Sequence, residues 1–157
     1  PRRGLSFITR KITKAIANNI SKKIDFFSVG NLNAKRDWGY AKEYVVPMWK
    51  MLQKKTPSDY VIATGKQYSV KQFVDFVLHE LNFKFKWKGK GTSLKCYDEN
   101  NNCIVACSKE YFRPLEVDTL LGDPRKAKKE LNWKPKSNIK TLVEEMVGSE
   151  LKNLDDD

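Results

Sequence analysis

The sequence lacks the long hydrophobic runs of a membrane protein. No apolar stretch reaches the roughly 18 residues that a membrane-spanning helix needs. Residues 1–4 (PRRG) also lack the apolar core of a secretory signal peptide. We therefore expect a soluble, cytoplasmic protein.

Cysteine and histidine are scarce, which argues against metal and disulfide chemistry. The 3 cysteines, Cys96, Cys103 and Cys107, have no Cys-x-x-Cys spacing, so neither a zinc site nor a disulfide framework is indicated. The only histidine, His79, lies beside the apolar stripe of a predicted helix, where a surface or packing role is commoner than catalysis. We expect no metal site.

Two motifs of a self-sufficient nucleotide-dependent oxidoreductase are also missing. Such an enzyme carries a glycine-rich phosphate loop after its first strand, and neither GxGxxG nor GxxGxxG occurs here. No tyrosine is followed four residues later by lysine, the pair that short-chain dehydrogenases place beside the cofactor ribose. We therefore expect no catalytic residue in this chain.

Positive charge, in contrast, is abundant. A net charge of +11 is compatible with three anionic partners, namely nucleic acid, a membrane surface or a small phosphorylated ligand. The lysines are scattered along the chain and form no block, which argues against a nucleic-acid-binding arm. Most of this charge is expected to be solvated surface.

The hydrophobic pattern predicts an α/β fold around one core. Apolar residues at helical spacing indicate helices over 5–20, 40–53 and 69–82, and the last of these has a capping box formed by Ser69 and Gln72. Short apolar runs closed by glycine, at 25–30 and 59–65, are typical of buried strands. This alternation of strand and helix predicts a parallel sheet.

The second half of the chain has a different pattern. Alternating aromatic and lysine residues over 83–88 predict a strand with one solvated face. Residues 93–97 and 103–108 flank a turn-rich stretch and predict a hairpin that makes an excursion from the main sheet. A short helix is expected from Asp123-Pro124 to Leu131, and the final helix from Ile139.

Two loops have the composition of a phosphate-binding site. Arg36 and Asp37 follow a predicted strand, where an arginine can grip a phosphate and an acid can hold it in position. Arg113 and Glu116 lie in an Arg-Pro turn that could aim them at phosphate and sugar hydroxyls. For either loop, an ordinary solvated turn remains the alternative, as does a solvated lysine for Lys11 on the first helix.

Several stretches, in this order, resemble GDP-mannose 4,6-dehydratases. They are residues 2–4 (RRG), 7–12 (FITRKI), 30–39 (GNLNAKRDWG), 59–65 (DYVIATG), 111–118 (YFRPLEVD), 121–124 (LGDP) and 131–135 (LNWKP). The resemblance implies the C-terminal part of a Rossmann-type extended short-chain dehydrogenase, with parallel strands, helices and a small substrate-binding subdomain that includes the hairpin. Residues 1–157 would then be the substrate-binding portion, without the N-terminal cofactor-binding half.

The resemblance also implies a function. Family members convert GDP-mannose to GDP-4-dehydro-6-deoxymannose with tightly held NADP, which is the first step toward GDP-fucose. Arg3 is expected to contact NADP, and Ile8 and Lys11 to lie against the GDP moiety. Arg36 is expected to grip the nucleotide phosphates, and Arg113 with Glu116 to close over the nucleotide sugar.

The same resemblance implies a homo-oligomer, a dimer or a tetramer, and a lyase activity that this portion alone would lack. Two alternatives remain at this stage. One is a different extended short-chain dehydrogenase, such as an epimerase or another sugar dehydratase, which would prefer another nucleotide. The other is a basic nucleic-acid-binding module, whose affinity would fall steeply with salt.

Overall fold

The computed structural model of the chain describes residues 2–21, 25–111, 115 and 117–155. Its helices are α1 (Ile8–Ile20), α2 (Ala41–Leu52), α3 (Val70–Glu80), α4 (Arg125–Glu130) and α5 (Ile139–Asp155). Its strands are β1 (Phe27–Val29), β2 (Lys35–Arg36), β3 (Tyr68–Ser69), β4 (Phe85–Lys88), β5 (Lys95–Asp98) and β6 (Cys103–Cys107). None of the described helices is long and apolar enough to cross a membrane.

The chain divides into two compact units, which are built from separate stretches of sequence. The first unit combines Pro1–Ala34, Ser69–Glu116 and Val143–Asp157, and the second combines Lys35–Tyr68 and Val117–Leu142. The first therefore contains α1, α3 and a four-stranded sheet, while the second contains α2 and α4.

The sheet of the first unit has the strand order β1-β6-β5-β4. β1 runs parallel to β6 with Ser28 opposite Ala106, whereas β5 is antiparallel to both β6 and β4. The strands predicted at 25–30 and 83–88 and the predicted hairpin are thus confirmed, but the hairpin is no excursion from the main sheet. Its strand β6 is paired on both edges and buried from Ile104 to Cys107, because its apolar side chains supply part of the core.

The helices of the first unit bury the faces that the sequence indicates. α1 packs against α3, and Ile12, Ile16, Phe73 and Val77 are all completely buried. The predicted capping box is confirmed: the Ser69 hydroxyl accepts from the Gln72 backbone N–H at 3.1 Å, and the Gln72 side chain accepts from the Ser69 N–H at 2.8 Å. This box starts α3 by satisfying two backbone donors that would otherwise lack a helical partner.

The second unit has a small core of its own around Trp133. Ala127, Leu131 and Trp133 are buried together, with Tyr44, Met51, Tyr60 and Ile62 packed around them. Glu43 of α2 fastens the 133–137 segment, because its carboxylate accepts from the Ser137 hydroxyl at 2.7 Å and from the backbone N–H of Lys136 and Ser137 at 2.8 and 2.9 Å. The predicted short helix begins one residue late, at Arg125, because Pro124 occupies the N-cap.

Two expectations about the second unit differ from the structure. Residues 59–65 are not a strand, and the N–H groups of Thr64 and Gly65 donate to the carboxylate of Asp37. α2 forms as predicted, but its apolar face is largely solvent-exposed, with Trp49 62% and Leu52 82% accessible, and Pro47 is its buried residue. The apolar periodicity therefore predicted the helix correctly, but the buried residue of α2 lies outside the apolar face that the periodicity indicated.

Candidate functional site

Arg36 is held at the end of β2 by the chain that runs beside it. The Lys35 N–H donates to the Asp118 carbonyl at 2.7 Å, and the Lys35 carbonyl accepts from the Leu120 N–H at 3.1 Å. The Nη1 atom of Arg36 then donates to the carbonyl oxygens of Lys35 and Val117, at 2.8 and 2.7 Å. The guanidinium is therefore fixed by backbone acceptors, and it needs little further ordering to meet an anion.

Asp37 does not serve as the local partner of Arg36 that the loop composition suggests, but anchors a second turn. Its Oδ1 atom accepts from the Thr64 N–H at 3.0 Å and from the Thr64 hydroxyl at 2.6 Å, and its Oδ2 atom accepts from the Gly65 N–H at 2.9 Å. Gly65 has φ +75°, which favours glycine, and its N–H can therefore point at the carboxylate. This anchor fixes the backbone directly after Arg36.

Arg3 lies at the start of α1, on the ring of Phe7. The guanidinium carbon of Arg3 is 3.8 Å from the ring centroid, and the ring itself is 49% exposed. The Arg3 carbonyl accepts from Arg10 Nη1 at 2.7 Å, and the Gly4 carbonyl accepts from the Phe7 N–H at 3.1 Å. A cation stacked on an exposed aromatic face is a suitable contact for an anionic group of a ligand.

Ile8 and Lys11 lie three residues apart on α1, and therefore on the same face of the helix. Both are partly buried. The ammonium of Lys11 is 4.2 Å from the centroid of the Tyr111 ring, an interaction that restrains this long side chain. Lys11 is thus not the fully solvated lysine of the alternative interpretation.

Arg113 and Glu116 lie outside the described residues. The described residues on either side of them are Tyr111 and Val117. Tyr111 is the ring beneath Lys11, and Val117 supplies the carbonyl bound by Arg36.

The cysteines do not form a nucleophilic site. Burial raises the pKa of Cys96 to about 12, with a further increase from the nearby Asp75 carboxylate. Burial also raises the pKa of Cys103 and of Cys107. All three thiols are therefore protonated at neutral pH, and a protonated thiol is a poor nucleophile and metal ligand. Within the described part of the chain, no group of three His, Cys, Asp or Glu residues is arranged to hold a metal.

Two polar clusters were not predicted from the sequence. In the first unit, Trp87 Nε1 donates to Asp75 at 2.7 Å, and the Lys71 ammonium pairs with the same carboxylate at 3.0 Å. Also in the first unit, Arg10 Nε donates to the Glu150 carboxylate at 3.0 Å across 140 residues. The helical spacing of Lys71 and Asp75 could have indicated their pair, but nothing local links Arg10 with Glu150.

One surface concavity of about 590 Å³ lies in the second unit, lined by residues 53–58, Tyr60 and Glu130. None of the sequence-predicted site residues lines it. We assign no function to it.

Comparison with known proteins gives a consistent result. A family model described as GDP-mannose 4,6 dehydratase matches residues 1–146. The chain is 46% identical over 151 residues to GDP-mannose 4,6 dehydratase 2 of Caenorhabditis elegans, covering 96% of this chain and 40% of that protein. It is 45% identical over 153 residues to the Homo sapiens GDP-mannose 4,6 dehydratase, covering 96% of this chain and 41% of that protein. The chain thus spans about two fifths of the length of these relatives.

Solved structures show the fold. The RMD structure from Pseudomonas aeruginosa, complexed with NADPH, matches with a TM-score of 0.76 at 13% identity, covering 98% of this chain and 45% of that one. The dTDP-glucose 4,6-dehydratase of Bacillus anthracis, in complex with NAD, matches with a TM-score of 0.71 at 15% identity, covering 99% and 42%. The predicted α/β fold class is therefore confirmed, with parallel and antiparallel strands in one mixed sheet.

Proposed function

Because the chain belongs to the GDP-mannose 4,6-dehydratase family, we propose that it forms the GDP-sugar-binding part of an enzyme that converts GDP-mannose to GDP-4-dehydro-6-deoxymannose. The reaction is a lyase step, the first toward GDP-fucose. The observation that carries the proposal is the preorganised Arg36, held at the end of β2 by the Val117 carbonyl at 2.7 Å. A fixed guanidinium is well suited to two phosphate oxygens, because its fork matches their spacing.

The other candidate residues divide between nucleotide and sugar. Ile8 supplies apolar surface on the face of α1 that also carries Lys11, and we assign both to the GDP moiety. Lys11 is already restrained against Tyr111, at 4.2 Å, which lowers the entropy lost when it binds an anion. Arg113 and Glu116, on the segment between Tyr111 and Val117, are assigned to the nucleotide sugar on the family pattern.

The proposed cofactor is NADP, and we expect this chain to contact one part of it, through Arg3. Arg3, stacked 3.8 Å above the exposed ring of Phe7, offers a fixed cation for a phosphate of a nicotinamide dinucleotide. The sequence has no glycine-rich loop for the pyrophosphate, so the remaining contacts must come from elsewhere in the enzyme. When bound, NADP supplies the hydride chemistry, while the residues of this chain bind and orient.

The catalytic groups of the enzyme are proposed to lie outside these residues. We infer that the 157-residue chain by itself binds GDP-mannose but does not turn it over. The complete protein is expected to be a cytoplasmic dimer or tetramer, with no nucleic-acid or membrane partner.

Calorimetric titration of the chain with GDP, and with UDP as the control, tests the proposal. Selective GDP binding is expected, with a loss of about 10- to 100-fold in Arg36→Ala, as for a charge-assisted hydrogen bond. Arg125→Ala is the matched control, because Arg125 is a largely exposed arginine of the same unit, paired with Asp123. It should leave GDP affinity unchanged.

Other outcomes have equally definite meanings. Equal affinity for GDP and UDP would favour a different extended short-chain dehydrogenase. Binding of a DNA duplex that weakens steeply between low and high salt would favour the basic nucleic-acid module. No GDP binding by a folded chain would refute the proposal that these residues supply substrate recognition.

A further inference from the structure

A buried ion pair joins the two helices that lie farthest apart in the sequence of the first unit. Arg10 of α1 donates from Nε to Oε1 of Glu150 on α5 at 3.0 Å, and the side chains are 22% and 4% exposed. The same guanidinium donates from Nη1 to the Arg3 carbonyl at 2.7 Å. One planar group therefore links α5 to the segment that precedes α1.

The Arg3 segment is restrained at three points. Arg10 holds the Arg3 carbonyl, and the Gly4 carbonyl accepts from the Phe7 N–H at 3.1 Å. The Arg3 guanidinium lies 3.8 Å from the Phe7 ring centroid. The hydrogen bond from Arg10 to the Arg3 carbonyl is the restraint that comes from outside the turn, because it depends on the direction of the Arg10 side chain.

Glu150 determines that aim. A guanidinium donates in a rigid plane, so fixing its Nε on one carboxylate oxygen also fixes the direction of Nη1. The carboxylate is almost fully buried, and a buried carboxylate is strongly bound to its cation because water cannot replace it. Without that partner the Arg10 side chain would regain several rotamers, most of which do not reach Arg3.

We propose that Glu150 is a positioning residue, which acts through Arg10 to hold Arg3 where it contacts the NADP cofactor. This inference rests on the proposed role of Arg3. It makes cofactor contact at the start of α1 dependent on a side chain of α5, 140 residues away.

Binding of NADP⁺ to the full 157-residue chain, measured by calorimetry with GDP as the control ligand, tests the proposal. Arg3→Ala and Glu150→Gln are each expected to weaken NADP⁺ by about tenfold, or about 1.4 kcal/mol. In the Arg3→Ala background, Glu150→Gln should have no further effect, since it acts through Arg3. GDP affinity should be unchanged in all three variants.

A second variant separates positioning from stability. Replacing a buried ion pair by apolar residues of similar size is often neutral for folding. The double variant Arg10→Met, Glu150→Leu is therefore expected to keep the melting temperature of the wild type. It should still lose NADP⁺ affinity about tenfold, because nothing then holds the Arg3 carbonyl.

A ligand-free measurement reports on the same contact. Trypsin cleaves after arginine, and the Arg3–Gly4 peptide bond contains the carbonyl that Arg10 holds. Its cleavage, followed by mass spectrometry, should be several-fold faster in Glu150→Gln and in the double variant. Cleavage after Lys90, in the same unit, should not change.

The outcomes distinguish two failures. If Arg3→Ala binds NADP⁺ as the wild type does, the proposed role of Arg3 fails and the positioning role fails with it. If the wild type binds too little NADP⁺ to measure, because the other cofactor contacts lie elsewhere in the enzyme, the cleavage rates at Arg3–Gly4 alone decide whether Glu150 positions the Arg3 segment. If Arg3→Ala weakens NADP⁺ but Glu150→Gln changes neither binding nor cleavage at Arg3–Gly4, only the positioning role is overturned.

Discussion

Removing the Asp37 carboxylate is the perturbation whose cost can be worked most directly from the structure. The carboxylate receives three hydrogen bonds, two from Thr64 and one from Gly65. In Asp37→Ala the Thr64 hydroxyl can turn its single hydrogen to the Lys66 carbonyl oxygen, which lies 3.1 Å away. The two backbone N–H groups lose their acceptor, which leaves water as their only replacement.

The expected loss of stability is about 2–3 kcal/mol. A hydrogen bond to a charged group contributes about 1.5–3 kcal/mol, and partial exposure of this site lets water recover part of that. Asp37→Asn keeps an oxygen for Thr64 but turns an amide donor toward the Gly65 N–H, so it should lose about half as much. Because Arg36 directly precedes Asp37, GDP affinity should also fall more in Asp37→Ala than in Asp37→Asn.

Urea unfolding followed by tryptophan fluorescence measures this loss as a change in midpoint at constant slope. Asp59→Ala is the matched control, because it removes an exposed carboxylate from the same unit and should stay within about 0.5 kcal/mol of the wild type. If Asp37→Ala destabilised the chain no more than this control does, the anchoring role of Asp37 would be refuted.

Three further predictions concern titration and packing. Burial opposes ionisation of Glu43, but the hydrogen bonds from its neighbours lower its pKa, so its stabilising effect is present at neutral pH and lost as the pH falls through that lowered value. Glu43→Gln should thus reduce the urea midpoint at pH 7, and this difference from the wild type should shrink as the pH is lowered below the ordinary pKa of 4.5; a difference that stayed constant would contradict this. Burial raises the pKa of Cys96 to about 12, so this thiol should resist iodoacetamide at pH 8 until urea unfolds the chain. If Cys96 in the folded chain were labelled as fast as a free thiol, its burial would be refuted. Gly122→Ala should lower the melting temperature, because the new methyl group collides with the Cβ of Ala63. Gly148 lies inside α5 with open space around it, so Gly148→Ala should raise the melting temperature and add roughly 0.5–1 kcal/mol of stability. A change of melting temperature in the same direction in both variants would refute the packing argument.

The sequence predicted the elements whose signals are local. The capping box at Ser69 and Gln72 fixed the start of α3, and apolar spacing found α1, α2 and α5. These signals succeed because hydrogen bonds and packing within one helix depend on residues three or four positions apart. The hairpin was found in the same way, from the turn-rich stretch between two apolar runs.

Pairing over long distances was not predictable in this way. The strand expected at 59–65 is absent because an apolar run does not show that a neighbouring strand is available to pair with it, and of this segment only Ala63 is buried. The parallel partner of β1 proved to be β6, which the sequence had assigned to an excursion. For the site, Arg36 was proposed from its loop and its family pattern, and the Val117 carbonyl to which it donates, 81 residues away in the sequence, was not predicted. The exposed face of α2 shows the same limit, since periodicity identifies an apolar face without identifying what packs on it.

The discontinuous build of the first unit has a consequence for biosynthesis. Arg10 meets Glu150 only after 140 further residues have been made, and β1 meets β6 only when residues 105–107 have appeared. At ribosomal speed the wait for Glu150 is on the order of 10 to 30 s. During that interval α1 cannot complete its core, and until residues 105–107 have appeared the backbone edge of β1 has no parallel partner. We therefore expect this unit to fold late on the ribosome and to depend on chaperones more than a protein of equal size built from neighbouring segments.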